Sequence, residues 1–420
     1  MKLLVAPHDL SIGGSQINAI DLAVGAAQAG HEVVVYGVPG PLVDYIESRG
    51  LEFVPARPLR YRPAPSRIVQ LAALARRRRL DLIHAYEWPP CLDAYFGAHL
   101  GCDVPLLCTV LSMSVSPLVP PSVPLVMGTA ALGEEARRAH RAPVWVLEPP
   151  IDTDADHPMI DGTLFRRSVG VPEDAMLVVT VSRLAIDLKL DALVRAIDAV
   201  GTLAGDLPVR LLVVGDGPAA AALKARAESV NGRWGRPVVE FAGAMSDPRP
   251  AYAAADVVVG MGSSALRAMS IGRPVVVQGE CGFSKTCEPD SQQYFFRHGF
   301  WGLGDDAPGA DLLAAQLRAL VTDARRRTEL GAFGRRVVAE RFALERAVMR
   351  QLEIYSEVIG ARGNRHLGHA ATAAARAAKL ELLAHDPRRK RTRRASEEGL
   401  LHAASRSVLG DAPIREEVSA

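Results

Sequence analysis

What most constrains the fold of this chain is a pattern that runs, breaks and starts again. Short β-branched runs alternate with Ala-rich segments of helical period, first over residues 1–148 and again over 159–341. Strand, helix, strand in that order needs crossover connections, which lay strands parallel and place helices on both faces of a sheet. The strand runs of the first half fall at 3–7, 32–37, 52–56, 82–86, 106–111, 125–129 and 144–147. Those of the second half fall at 177–181, 210–214, 239–242, 256–259 and 274–277. Helical segments include 15–29, stopped by Gly30, and 188–199, 219–229 and 264–270. Between the halves, EPPIDTDADHP gathers prolines and acids without periodicity, so 149–158 reads as a hinge. The expectation is α/β: two doubly wound parallel-sheet domains of similar size, with ligands at the carboxyl ends of the strands.

Size and composition agree with that expectation. The chain has 420 residues, 49% of them apolar, enough for two cores and an appendage. With 49 basic and 47 acidic residues the formal net charge is +2, so no nucleic-acid partner is demanded. The opening MKLLVAPHDL has too short an apolar run for a secretory signal, and no stretch reaches the ~18 uninterrupted apolar residues of a membrane span. A cytoplasmic protein is the expectation. The five cysteines form no C-x-x-C pair and are odd in number, which argues for free thiols over a disulfide framework or zinc site.

Beyond residue 341 the pattern changes. Residues 342–359 read as a strong amphipathic helix and 370–383 as a further helix. Residues 361–420 as a whole read as a basic, mobile tail, with PRRKRTRR at 387–394 as its densest part. The run has two readings: a solvated tail, or peripheral contact with anionic lipid at the inner face of a membrane. A second basic run, Arg76 to Arg79, ends a helix, where cations are locally stabilising.

Several strand ends carry chemistry. Gly13-Gly14-Ser15-Gln16 follows the first strand and opens a helix, allowing close backbone approach and offering unpaired N–H donors. Ser182-Arg183-Leu184 ends the first strand of the second half, with Lys189 six residues on, so a fork of donors and a compact charge can converge on one diphosphate. Gly215-Asp216-Gly217-Pro218 is a strand-end turn and reads as structural. Gly243, Ala244 and Met245 end another strand, where backbone groups are placed to read a nucleobase edge. Gly260, Gly262, Ser263 and Ser264 form a loop and helix start suited to a phosphate or a polyhydroxylated ligand. Arg267 is read into the first turn of that helix, and Glu280 follows the strand after it.

These segments together resemble a known family. Gly13-Gly14, SRL and Lys189, VVGDGP (213–218), FAGAMSDP (241–248), YAAADVVV (252–259) and ALRAMSIGRPVVV (265–277) are similar, in order and spacing, to the family 4 retaining glycosyltransferases. The resemblance covers roughly residues 1–360. It implies the GT-B fold, two Rossmann-like domains facing each other across a cleft, with 342–360 as a helix crossing back to the first domain. It also implies transfer of a sugar from a nucleotide-sugar donor, with retention and without a metal or cofactor. By the same resemblance Arg183 and Lys189 neutralise the leaving diphosphate, Gly14 lets the reacting centre approach the first helix, and Gly243 to Met245 border the base. The acceptor is not encoded.

Two departures mark the chain as a divergent member. The family's two glutamates, eight residues apart, grip the donor sugar and the ribose; here Val259 and Arg267 stand in their places. Neither side chain accepts a hydrogen bond. The family's T-V-H run reads Thr109-Val110-Leu111. Three readings follow. The enzyme is active, with Arg267 as an altered specificity element that pairs with phosphate or with Glu280, Glu280 supplying the ribose acceptor. Alternatively, the chain is a degenerate transferase that binds a sugar nucleotide or partner without turnover. In the third, the scaffold serves another sugar-nucleotide reaction, such as epimerisation or phosphorolysis.

Overall fold

The strand β1 (Lys2–Ala6) shows how the sequence builds the first sheet. Its side chains alternate faces, so Leu4 and Ala6 enter one apolar cluster with Leu71 and Leu74, while Leu3 and Val5 enter another with Ile20 and Val24. A strand covered on both sides must read as a continuous apolar run, and KLLVA does. The computed structural model describes residues 1–59, 63–305, 309–361, 367–384, 397 and 400. The basic run at 387–394 therefore lies outside the described residues.

The first sheet has seven strands: β1, β2 (Glu32–Gly37), β3 (Glu52–Pro55), β4 (Leu82–Tyr86), β5 (Leu106–Val110), β6 (Leu125–Met127) and β7 (Val144–Val146). They run in the order β3-β2-β1-β4-β5-β6-β7, and every pair is parallel. The second sheet has β8 (Met176–Val181), β9 (Val209–Val214), β10 (Val239–Gly243), β11 (Val257–Gly260), β12 (Val275–Gln278) and β13 (Ser284–Thr286). Its order is β10-β9-β8-β11-β12-β13. Both sheets reverse direction of growth beside their first strand, between β1 and β4 and between β8 and β11. Such switch points open a crevice at the strands' carboxyl ends. Two doubly wound α/β domains are present.

β13 departs from the strand pattern read in the sequence. It pairs antiparallel with β12, Val277 opposite Lys285. Its Ser-Lys-Thr carries no apolar run, and it forms because the turn Gly279–Phe283 folds the chain straight back along β12.

The described residues divide into two compact units: those within 1–155, 293–299 and 338–384 form one, and those within 156–292 and 300–337 the other. In the first unit the helix Leu344–Gly360 lies on the helix Gly14–Gln28, with Val348 and Ala347 against Leu22. Ile354, Tyr355 and Val358 fill the same core as Ile20 and Val24. Each fully buried aliphatic side chain there stabilises by about 1.5–3 kcal/mol. The fit is close: a Cβ on Gly25 would stand 2.2 Å from Val348 Cγ2. The helix Leu367–Ala384 lays Ala373 and Ala377 over Leu92 and Leu118. No described helix is long and apolar enough to cross a membrane.

Candidate functional site

In the second unit the candidate residues collect where β8 and β11 leave the sheet. Ser182 follows β8, and its backbone N–H donates to Val214 O at 3.0 Å, while Leu184 N–H donates to Asp216 O at 2.9 Å. The turn Gly215-Asp216-Gly217 lies against this segment so closely that a Cβ on Gly215 would stand 1.9 Å from Ser182 O. Gly215 also has φ of 140°, which disfavours any other residue. The turn is thus a structural support for the loop that carries Arg183 and Lys189, as its sequence indicated.

Arg183 is exposed and Lys189 half-buried at the start of the helix Leu190–Leu203. Burial pulls the Lys189 amine down to about 8, with the Arg183 charge adding to the fall and Glu280 opposing it. Leu188, just before it, has φ of 64°, an uncommon and strained conformation for a bulky side chain. The two cations repel, so an anion between them is favoured.

The loop after β11 contributes differently from residue to residue. Gly262 has φ of 57°, and its N–H is taken by Phe300 O at 2.8 Å. The first intrahelical bond of the helix Ser263–Ser270 runs from Leu266 N–H to Gly262 O, which leaves the amides of Ser263, Ser264 and Ala265 ahead of it. The Ser264 hydroxyl is committed: it donates to Val181 O at 2.8 Å and accepts from Tyr252 Oη at 3.0 Å. It ties the helix to β8. Gly260 makes room for it, since a Cβ there would stand 3.0 Å from Ser264 Oγ.

Arg267 lies in the last turn of this helix rather than the first, because the helix ends at Ser270. It pairs with Asp156, whose carboxylate is 2% exposed, at 3.4 Å. The backbone carbonyl of Asp156 accepts from Ser270 Oγ at 2.6 Å and from Arg335 Nη1 at 3.2 Å. Val259 is wholly buried among the apolar side chains of the unit's core.

Glu280 follows β12 in a turn held by its own backbone: its N–H donates to Gly302 O at 3.0 Å, and its carbonyl accepts from Phe283 and Gly304. Gly243 ends β10 with φ of 75° and accepts from Gly215 N–H at 2.8 Å; Ala244 beyond it is exposed and Met245 half-buried. The structure therefore brings Arg183, Lys189, Gly260, Gly262, Ser263, Ser264 and Glu280 to the carboxyl ends of adjacent strands. Among the described residues no group of His, Cys, Asp or Glu is arranged to hold a metal ion.

In the first unit Gly13 caps the helix Gly14–Gln28. Close by lies a network that the sequence motif did not disclose. Gln16, 3% exposed, donates through Nε2 to Asp9 Oδ1 at 2.7 Å and meets His8 Nε2 at 3.1 Å. Ser11 donates to Asp9 through both N–H and Oγ. Burial raises the Asp9 carboxyl, but these bonds and His8 outweigh it and leave it below its ordinary value. A Cβ on Gly13 would stand 2.5 Å from Gln16 Oε1, so a side chain there would displace the Gln16 amide.

Glu87 is a second feature beyond the motifs. With φ of 68° and ψ of 170° it occupies a region that is essentially glycine's. Its carboxylate accepts from Leu111 N–H at 2.8 Å, Ser112 N–H at 2.9 Å and Ser112 Oγ at 2.8 Å. His84 and Tyr86, by contrast, are core residues: His84 bonds Tyr355 Oη and Thr109 Oγ1, each at 2.7 Å, and burial pushes its imidazole down to about 3.

Comparison with known proteins meets this geometry in both units. The model of Glycosyltransferase Family 4 matches residues 12–115, and that of Glycosyl transferases group 1 matches 175–323. Solved structures match over nearly the whole of their own length. A glycosyltransferase from Rickettsia africae superposes with a TM-score of 0.70 at 14% identity, covering 85% of this chain and 98% of that one. HepE from Anabaena in complex with UDP-glucose gives 0.69 at 19%, covering 85% and 100%. WaaG, a glycosyltransferase of lipopolysaccharide biosynthesis, gives 0.59 at 16%, covering 84% and 99%. No protein of curated function matches the sequence. The fold is that of the GT-B glycosyltransferases.

Proposed function

We propose that this family 4-like glycosyltransferase moves a sugar from a nucleotide-sugar donor to an acceptor with retention of anomeric configuration, without a metal or cofactor. The observation that carries the reading is the placement of Arg183 and Lys189 on one loop at the β8–β11 switch point, with the lysine partly desolvated beside a second cation. Such a pair is arranged for a diphosphate. The acceptor oxygen forms a bond to the anomeric carbon on the face from which the diphosphate departs. The broken C–O bond leaves its electron pair on the diphosphate oxygen, which takes the acceptor's proton. Arg183 and Lys189 stabilise that developing charge; Gly243, Ala244 and Met245 border the base, and Ser263 and Ser264 present amides to the donor. The bound UDP-glucose of HepE supports a nucleotide sugar as the ligand class.

Binding of UDP and related nucleoside diphosphates, followed by calorimetry, tests the donor site. Arg183→Ala and Lys189→Ala should each weaken binding by about 10–100-fold, the worth of a charge-assisted hydrogen bond. Arg267→Ala should weaken it far less, because that guanidinium already serves Asp156. Equal small effects from all three would refute the assigned site. A second reading, a degenerate transferase that binds without turnover, is favoured by one observation: neither Val259 nor Arg267 presents an acceptor to sugar or ribose hydroxyls. Product release from any nucleotide sugar in a panel would remove it. Peripheral lipid contact through the basic run at 387–394 belongs to the same proposal, with retention of the protein on anionic but not neutral vesicles as its measure.

A further inference from the structure

Lys189 and Glu280 reach the candidate site from different elements, and one buried side chain joins those elements. Arg195 is 1% exposed and lies in the second turn of the helix Leu190–Leu203. Its guanidinium crosses to the turn between β12 and β13. Nη2 donates to Gly279 O at 3.0 Å and to Asp191 Oδ2 at 2.5 Å, while Nη1 donates to Phe283 O. Asp191 in turn accepts from Gly282 N–H at 3.3 Å. Gln278 Nε2 adds a bond to Ala192 O at 3.0 Å. The carbonyls of Gly279 and Phe283 lie on either side of Glu280, and both are fixed by a single planar group.

An interior guanidinium is costly to maintain. Burial pulls the Arg195 pKa below its ordinary value, with Asp191 opposing the fall. Turn carbonyls alone would be satisfied more cheaply by backbone N–H groups or by water. What the fork adds is rigidity between two places: the helix that begins at Lys189 and the turn that holds Glu280.

We infer that Arg195 is a positioning residue for the diphosphate site, locking the Gly279–Phe283 turn to the first turns of the helix Leu190–Leu203 and so fixing where Glu280 stands relative to Lys189. The inference rests on the nucleoside-diphosphate reading above for its purpose, though not for its geometry. The charged groups acting on Lys189 are Arg183, from the loop after β8, and Glu280, from this turn. Arg183 favours loss of the lysine's proton and Glu280 favours its retention. Anything that lets the turn drift therefore lowers the pH at which Lys189 becomes neutral.

The pH dependence of Lys189 acylation by acetic anhydride, read by mass spectrometry of its peptide from about pH 6 to about pH 10, measures this directly on the full chain. Glu280→Gln should lower the midpoint. Arg195→Gln should lower it in the same direction, and the double variant should shift no further than Glu280→Gln alone. Asp191→Asn, which keeps the buried arginine but takes the charge from two of the links, should give a smaller shift of the same sign. Additive shifts in the double variant would overturn the inference. So would an unmoved midpoint in Arg195→Gln, or in Asp191→Asn should the first variant not fold. UDP binding by calorimetry on the same proteins separates the two readings. If the midpoints move as stated and no nucleoside diphosphate binds, the positioning role stands and the nucleotide reading falls.

Discussion

Lys189 is the residue whose behaviour in solution follows most directly from its surroundings. Its folded-state pKa of about 8 lies below the ordinary value of 10.5, so above pH 8 the unfolded chain binds more protons than the folded one. Holding this amine charged therefore costs stability that is fully felt below pH 8 and is relieved as pH rises from about 8 to 10.5. Lys189→Met should consequently melt higher than the wild type near neutrality, with the gap closing toward about pH 10. The same variant should lose nucleotide binding. In the wild type, UDP affinity should fall as pH rises through about 8, with proton uptake on binding above that point. Leu188 gives a companion prediction: Leu188→Gly removes the steric cost of a positive φ, about 1–2 kcal/mol, which urea denaturation would register as a higher midpoint. Arg183 and Lys189 were legible in the sequence because a strand end and a helix start place cations by local rules alone. The partner of Arg267 was not, because Asp156 lies far away in the chain and only the folded second unit brings the two together. The Gln16 network was equally hidden, since glutamine at a helix start carries no local signature.

At the scale of elements, β-branched runs revealed nearly every strand, because a strand buried on both faces admits little else. β13 escaped for the opposite reason: its pairing is imposed by a turn, and its residues are polar. The amphipathic helix beyond residue 341 was visible in its periodicity, but its docking surface was not. That surface depends on Gly25, whose missing side chain admits Val348. Gly25→Ala should therefore destabilise by about 1–3 kcal/mol despite alanine's higher helix propensity, and Val348→Ala should recover part of the loss. Urea denaturation of the two single variants and the double closes that cycle, and additivity would refute the contact. The same helix is held at its other end by Tyr355 against the neutral imidazole of His84. The helix Leu367–Ala384 makes a simpler statement. Its alanines cover Leu92 and Leu118, so truncation after residue 361 should lower the melting temperature.

For the molecule as a whole, the alternation of strand and helix was enough to read two α/β sheets, because topology follows from connection rules rather than from particular side chains. The return of 342–360 to the first unit was expected from the family resemblance alone, since nothing local tells a helix near the end which earlier core it completes; that 293–299 also joins the first unit had no signal in the sequence. The described residues of 338–384 and 293–299 belong with 1–155, so the chain passes between the units repeatedly. A fragment of residues 1–155 should be incomplete, leaving Leu22, Ile20 and Val24 without the cover that Val348, Ile354 and Val358 supply. Cooperative melting of that fragment should appear only when a peptide of residues 338–361 is added; cooperative melting without it would refute the dependence. The contact between Gly25 and Val348 also fixes a schedule on the ribosome. At ordinary elongation rates of roughly 5–20 residues per second, the first unit waits on the order of tens of seconds for its closing helix. The second unit's sheet, whose strands all lie between Met176 and Thr286, is synthesised within that interval. The part of the protein made first is thus the part finished last, and its open face is what a nascent-chain chaperone would meet.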